Sequence, residues 1–437
     1  MNEEHVSTTE QGQGRMTRRG LLALAGTSAL AGCNGLAELG GGTEPTIRAY
    51  DLPDIDSDEY PEPAVPESIP VGIAPEHFDA ARNRVTTLLG ELPTPLGPED
   101  IPNGYVRQQL SEAATDATTG LDDARDARTE LVALESLRRA RAETRYAAAG
   151  WAVADRDLSV GPLQQEYRQA VSEARSVREA HEYVGTDPVR AALVHARIED
   201  TLERVIDSRV PSQDGNRLLH VAEWGETAES ARAGLDDARH LDEQFTASLP
   251  ADAGTVEETL TAAAETMLAD VRSRRSGVPP EPTADEWDIP ERVIGDLHRE
   301  ADDGVTRIAD ANGPASAVVD ANRRLTRFQA LDRLQDRIDN DELSRPQSAE
   351  VVREIRSTAY DALETALEES PAPELTRTAV TSAGWRVASA DWELARYEGE
   401  VTVSRLNRTI VDYVIATAIG RAAPNVSRQT VETLESA

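Results

Sequence analysis

From Pro75 onward, apolar residues recur every three or four positions, the spacing that places side chains on one face of an α-helix. The clearest stripe consists of Val106, Leu110, Ala113, Ala117, Leu121 and Ala124. No segment alternates polar and apolar β-branched residues at period two, as a half-buried strand would. The sequence therefore predicts an all-α fold without a sheet, an elongated bundle of roughly eight to ten helices.

Several helix ends can be placed from capping residues. Pro75 suits a first helical turn, and Asp187 followed by Pro188 is typical of a helix start. Thr255 with Glu258 has the spacing of a capping box. Gly313-Pro314 is expected to end a helix.

Two short repeats suggest that the bundle consists of two related helical halves. Ala149-Gly150-Trp151 recurs as Ala383-Gly384-Trp385, and the hexapeptide at 120–125 recurs at 234–239. The two repeats imply different spacings, so chance similarity in an Ala- and Asp-rich chain is the alternative. The Pro-rich loop 277–290 is the expected division between helical region 75–276 and helical region 291–437. The tryptophans are expected to be core wedges beside close glycine contacts.

The first 33 residues carry the most specific motif. Arg18-Arg19 precedes a short apolar stretch, Leu21 to Leu30, which is followed by Ala31-Gly32-Cys33. About ten apolar residues are too few to cross a bilayer. The order resembles a twin-arginine export signal that ends in a lipobox, and Met16 is an alternative start. The resemblance implies that Arg18 and Arg19 are read by the export system and that the Cys33 thiol receives lipid.

This resemblance divides the N-terminal region and predicts a location. Residues 1–32 are expected to be the signal peptide, and the Gly/Pro-rich acidic stretch 33–74 a spacer. The mature chain is then anchored by lipid at the outer face of the cell membrane. Because Cys33 is the sole cysteine, no disulfide within the chain can form.

The charge is strongly negative, with 79 acidic against 45 basic residues, a formal net charge of -34, and no lysine. This composition resembles that of proteins from extreme halophiles, because concentrated salt screens the self-repulsion of such a chain. GC-rich coding is an alternative explanation for the missing lysines but not for the excess of carboxylates. A nucleic-acid partner is not expected, since no basic stripe is present to neutralise phosphates.

One segment is a candidate metal site. His220 and Glu223 lie three positions apart and would project from one helical face. The segment resembles the His-x-x-Glu motif of imelysin-like proteins, exported two-bundle helical proteins of which some are linked to iron uptake. The resemblance implies that His220 and Glu223 are ligands of a divalent metal, the one cofactor considered. Asp237 and His240 repeat the spacing and could add ligands. The alternative is a surface or helix-capping role for these residues.

No phosphate-binding loop, Gly-x-Ser-x-Gly elbow, cysteine nucleophile or zinc-knuckle spacing is present, so an enzyme is not expected, and a hydrolase is the third hypothesis. Asn407 and Asn425 lie in glycosylation sequons, and Asn425 is expected in a loop because it follows Pro424. The sequence thus favours an envelope lipoprotein that binds or scaffolds an unknown envelope protein or solute. The alternative is a metal- or solute-binding lipoprotein that serves uptake.

Overall fold

The computed structural model describes residues 44–55, 62–93, 95–212, 215–278, 283, 287–302, 308 and 311–437, with only the backbone at 301 and 302. Residues 44–437 form one compact unit. The twin-arginine motif and Cys33 lie outside the described residues, as does half of the loop 277–290.

The N-terminal half of the bundle contains six helices. They are α1 Pro75–Leu89, α2 Gly104–Asp126, α3 Glu130–Arg156, α4 Val160–Glu179, α5 Pro188–Ile206 and α6 Arg217–Ala247. All six members of the stripe that begins at Val106 are buried. Asp187 caps α5, accepting hydrogen bonds from the Val189 and Arg190 backbone N–H groups.

The C-terminal half contains the other six α-helices of the described chain. They are α7 Glu257–Arg275, α8 Ile289–Asp302, α9 Pro314–Asp339, α10 Ala349–Glu368, α11 Pro373–Ala395 and α12 Asn407–Ser436. These twelve α-helices, in two halves of similar size, confirm the predicted all-α class for the described residues. Within the described residues, no helix combines the length and the apolar character needed to cross a lipid bilayer.

Two small antiparallel sheets correct the prediction that no sheet would form. Strand β1, Thr46–Arg48, pairs with β4, Glu400–Thr402, and β2, Val184–Gly185, pairs with β3, Gly254–Thr255. Each strand has two or three residues, too few for a period-two pattern to be visible in the sequence. These pairs fasten loops to the bundle and leave the fold class unchanged.

Much of the predicted spacer packs on the bundle. Ile47, Leu52 and Val65 belong to the core of the C-terminal half, and Val71 and Ile73 to that of the N-terminal half. The prolines of this segment disfavour an α-helix, as expected. The apolar residues between them are nevertheless stabilised by burial against the bundle. The segment from residue 44 is therefore part of the folded domain, and residues 56–61 lie outside the described chain.

The junction between the halves is built from α5, α7 and α9. Helix α5 contacts α9, and α7 packs on α9 and α12. Leu193 of α5 shares a small apolar cluster with Leu260 of α7 and Phe328 of α9. Helix α7 therefore packs mainly on helices of the C-terminal half.

Pro314 lies in the first turn of α9. Two local expectations are corrected by the structure. The N-cap of α7 is Val256, and Thr255 lies one position before it. The Thr255 side chain accepts a hydrogen bond of 3.3 Å from the Glu257 N–H, so the expected capping box does not form. Trp385 is 45% exposed and so is not a core wedge, although Gly384 beside it does permit a close backbone approach to Val65.

Candidate binding groove

A groove of about 1170 Å³ lies where the two halves meet. Its N-terminal wall comes from the end of α2, the first turns of α3 and one face of α5, and its C-terminal wall from α9 and α11. The segment 62–69 runs along it. Grooves between domains are frequent ligand sites because both walls can contribute polar groups to one ligand.

Arginines are concentrated on the N-terminal wall. Arg197 and Arg204 are seven residues apart on α5, which places them two turns apart on one face. Arg197 binds Glu135 of α3 and reaches Glu67 at 3.4 Å. Burial raises the pKa of Glu135, but the attraction of Arg197 and Arg138 is stronger and leaves that pKa below its usual value. The Glu135 carboxylate is therefore charged and paired with Arg197, which it holds in place.

Arg204 and Arg139 are groove cations that form no salt bridge with the described residues. The Arg204 Nε donates to the Asp200 backbone carbonyl at 3.1 Å. Arg204 as a whole residue is exposed, while the groove partly desolvates its guanidinium. Desolvation in the groove and repulsion from Arg197 and Arg138 lower the pKa of Arg204 to about 10, so it stays charged at neutral pH. Glu135 and Asp200 also attract the Arg204 guanidinium but form no salt bridge with it, so its free donors favour an anionic group of a ligand.

The C-terminal wall combines fixed arginines with an aromatic ring. Arg323 of α9 binds Asp320 at 3.0 Å and the Thr378 carbonyl at 3.2 Å. Arg377 of α11 lies 3.4 Å from Glu374, and the exposed Trp385 ring lines the groove two turns further along α11. These contacts hold the wall rigid and leave the indole face free for apolar or stacking contacts.

Carboxylates complete the lining and limit the chemistry. Asp122, Asp123 and Asp126 project from the end of α2 into the groove, and Glu203 pairs with Arg178. The described lining residues include neither histidine nor cysteine. These charged groups can contribute to the binding of a ligand.

The sequence-predicted metal pair lies on α6, away from this groove. His220 and Glu223 are both half-buried, and Nδ1 of His220 is buried without a hydrogen-bond partner. Burial, with the nearby charge of Glu223, raises the pKa of Tyr146 to about 12. No contact between the His220 and Glu223 side chains is observed within the described chain, so metal binding by this pair stays a prediction.

The second predicted pair has a structural role at the start of α1. His77 Nε2 lies 2.9 Å from Asp237 Oδ1, and the ring of His77 stacks on that of His240 with centroids 4.1 Å apart. His240 Nε2 accepts from the Ala74 N–H at 3.0 Å. Asp237 and His240 thus hold α1 against α6 and do not approach His220.

A different group of potential ligands was missed by the sequence analysis. His181, His195 and Asp242 come from a loop and two helices, and one ligand atom from each lies within 4.8 Å of the others. Their separations of 14 and 47 residues follow no ligand-spacing pattern, so only the tertiary fold brings them together. The groove arginines were missed for the same reason.

Neither predicted glycosylation site has the expected setting. Asn407 is buried at the first position of α12. Asn425 follows Pro424 inside α12 and not in a loop, and its side chain lies 3.4 Å from Gln329. Burial of α12 in the core outweighs the helix-breaking tendency of Pro424, so the helix continues through the proline. An acceptor asparagine needs an accessible segment, which these positions lack.

Comparison with known proteins gives a domain division but no activity. Residues 76–252 match a family described as a domain of unknown function (DUF8262), and residues 257–432 match another described as a domain of unknown function (DUF8264). No curated protein and no solved structure matches the chain. The boundary between the two matches falls just before α7, where the packing of the helices also divides the bundle.

Proposed function

We propose that this chain is a lipid-anchored binding protein at the outer face of the cell membrane, and that the groove between its two domains holds a small anionic solute. The location rests on the twin-arginine motif and the lipobox at Cys33. The binding role rests on one observation, the exposed residue Arg204, which lies in the groove and forms no salt bridge with the described residues.

The excess of carboxylates makes this arrangement informative. The chain has more acidic residues, 79, than basic residues, 45, and Arg197, Arg323 and Arg377 each have a carboxylate nearby. Arg204 forms no salt bridge with the described residues and is repelled by Arg197 and Arg138, although Glu135 and Asp200 attract it. A carboxylate, phosphate or sulfate on a solute would relieve that repulsion and use the free donors. The exposed Trp385 indole could pack on an apolar part of the same solute.

A scaffolding role for an envelope protein is the competing form of this proposal. A partner protein would contact the groove and its rim, and the small anions alone would bind weakly. The two forms differ in what occupies the groove, so direct binding of small anions discriminates between them.

The test measures the thermal midpoint of the purified domain in phosphate, sulfate, citrate or aspartate, at constant ionic strength in concentrated KCl. A ligand that binds only the folded state raises the midpoint by mass action. At least one anion should raise it for the wild type and for the control Arg421→Gln, an exposed arginine outside the groove. Arg204→Gln should abolish the rise. The absence of any rise, or an equal rise in Arg204→Gln, would reject the solute.

The metal-binding alternative keeps one favourable observation, the unpartnered buried Nδ1 of His220. If His220 and Glu223 bind a divalent ion, that ion should raise the thermal midpoint, and His220→Ala should remove the rise. A metal-induced rise that survives His220→Ala would place the ion elsewhere.

A further inference from the structure

We propose that His181, His195 and Asp242 form a binding site for a divalent transition-metal ion of the zinc type, at the end of the N-terminal domain. The site is separate from the groove, and it shares no residue with the His220 pair. His181 lies in the loop after α4, His195 on α5 and Asp242 on α6.

The hydrogen bonds of His195 fix which of its nitrogens has a lone pair. His195 Nε2 lies 2.9 Å from the Val184 backbone carbonyl, which can only accept, so Nε2 carries the proton. Nδ1 of the neutral ring is then unprotonated and accepts from His181 Nε2, 3.0 Å away. A ring that donates its second N–H to a backbone carbonyl is the usual outer-shell arrangement of a metal-ligating histidine.

The spacing of the two rings suits a metal ion with little rearrangement. A tetrahedral zinc ion with Zn–N bonds of about 2.0 Å holds two nitrogens about 3.3 Å apart. The His181 and His195 nitrogens are 3.0 Å apart, so the ion can replace the shared proton after a small separation. The displaced proton is taken up at Nδ1 of His181, which leaves that ring neutral.

Asp242 provides a negative charge and a carboxylate ligand whose exposed side chain can rotate towards the ion. Its side chain is 39% exposed, whereas that of His181 is 4% exposed and His195 is fully buried. Asp242 Oδ1 lies 3.6 Å from His181 Nδ1, and a rotation of this exposed side chain can bring an oxygen to the ion. Solvent on the Asp242 side gives the ion an entry path and a water for its fourth position.

The surroundings hold both rings in place. The Tyr183 ring meets His181 and His195 edge to face, and Phe245 meets His195 at 89°. Burial also lowers the pKa of each histidine, to about 4 for His195, so both rings are neutral at neutral pH and a proton does not compete with the ion. Two imidazoles and one carboxylate are donors that suit zinc, cobalt or nickel better than magnesium or calcium.

The position of the site suggests what the ion does. The three ligands join the loop that carries β2 to α5 and α6, and β2 pairs with β3 at the domain boundary. A bound ion would cross-link these elements where the first domain passes into the second. It should therefore stabilise the junction, and the wild-type midpoint should rise when Zn²⁺ is added.

The test is a titration of Zn²⁺ into the chelator-treated full domain at constant KCl, repeated with Co²⁺, whose visible absorption reports a tetrahedral nitrogen-containing site. We expect one saturable ion per chain. His181→Gln and Asp242→Asn, which keep the size and polarity of the side chains, should each weaken binding at least tenfold. The matched control His77→Gln should bind as the wild type does, and circular dichroism should show all variants folded.

Three results would overturn the site. The first is no saturable binding of Zn²⁺ or Co²⁺ to the wild type. The second is unchanged affinity in both His181→Gln and Asp242→Asn. The third is binding lost only in His220→Ala, which would assign the ion to the pair on α6.

Discussion

The carboxylate of Glu199, on α5 of the first domain, accepts a hydrogen bond of 2.6 Å from the backbone N–H of Ser316 in the second domain. The same carboxylate accepts from the Ala315 N–H at 3.3 Å. These are donors of the first turn of α9, which has no side-chain cap of its own. A buried acid of one domain therefore caps the first helix turn of the other, although burial raises the pKa of the Glu199 carboxyl above its usual value.

This cap predicts a measurable contribution to the domain junction. Glu199→Ala should lower the free energy of unfolding by about 1–3 kcal/mol, because two buried N–H groups lose their acceptor. Glu199→Gln retains an acceptor oxygen and should cost less. Denaturant unfolding in concentrated KCl measures both, and equal losses for the two variants would contradict the capping role.

A second buried acid predicts a larger loss. Asp391 binds Arg356 through two hydrogen bonds, of 2.8 and 2.7 Å, and accepts from the hydroxyls of Tyr360 and Tyr413. Asp391→Ala should destabilise the domain by about 3–5 kcal/mol, because it leaves the partly buried Arg356 guanidinium and the two tyrosine hydroxyls without their acceptor. The control Asp79→Ala removes only an exposed pair with Arg82 and should cost less than about 1 kcal/mol. Similar losses for both variants would contradict this ranking.

The helices could be predicted because their signals are local. The stripe from Val106 to Ala124 repeats at helical spacing, and Asp187-Pro188 carries both a cap and a first-turn proline. The errors also have local causes. Pro424 reads as a breaker, yet burial of α12 on both sides of it keeps the helix continuous. Ile47 reads as part of a spacer because three residues are too few to indicate a strand.

The candidate sites could not be predicted, because their geometry is tertiary. Arg204 is one of 45 basic residues, and only the packing of α5 beside α3 shows that it faces Arg138 and Arg197. His181 and His195 are separated by a loop and a helix start, and only the fold brings their nitrogens to 3.0 Å. The sequence instead singled out His220 and Glu223, whose spacing is common in a chain that is 28% charged.

The net charge of -34 predicts that stability depends on salt. Self-repulsion destabilises the compact state, and at about 1 M salt the Debye length of about 3 Å screens most of it. Helical circular dichroism should be lost as KCl falls to tens of millimolar. A thermal midpoint that is unchanged between 0.1 and 3 M KCl would contradict the halophilic interpretation.

The anchor at Cys33 predicts two separable export defects. Cys33→Ser should leave uncleaved precursor or release soluble protein to the medium, because lipid attachment needs the thiol. Replacing Arg18 and Arg19 by lysine should keep the chain inside the cell, since the paired arginines are the proposed export signal. Cell fractionation separates these outcomes. A processed Cys33→Ser protein that resists a high-salt wash of the membrane would contradict lipid anchoring.

The most direct test of the account is native mass spectrometry of the protein extracted from the membranes of its host. The wild type and Arg421→Glu should both carry the same small anionic molecule, because the groove is intact in each. Arg204→Glu should be free of it, since the variant replaces the unpaired cation by a carboxylate that repels the ligand. A wild-type protein without a bound small molecule, or one retained equally by Arg204→Glu, would contradict the proposal that the groove is a binding site for an anionic solute.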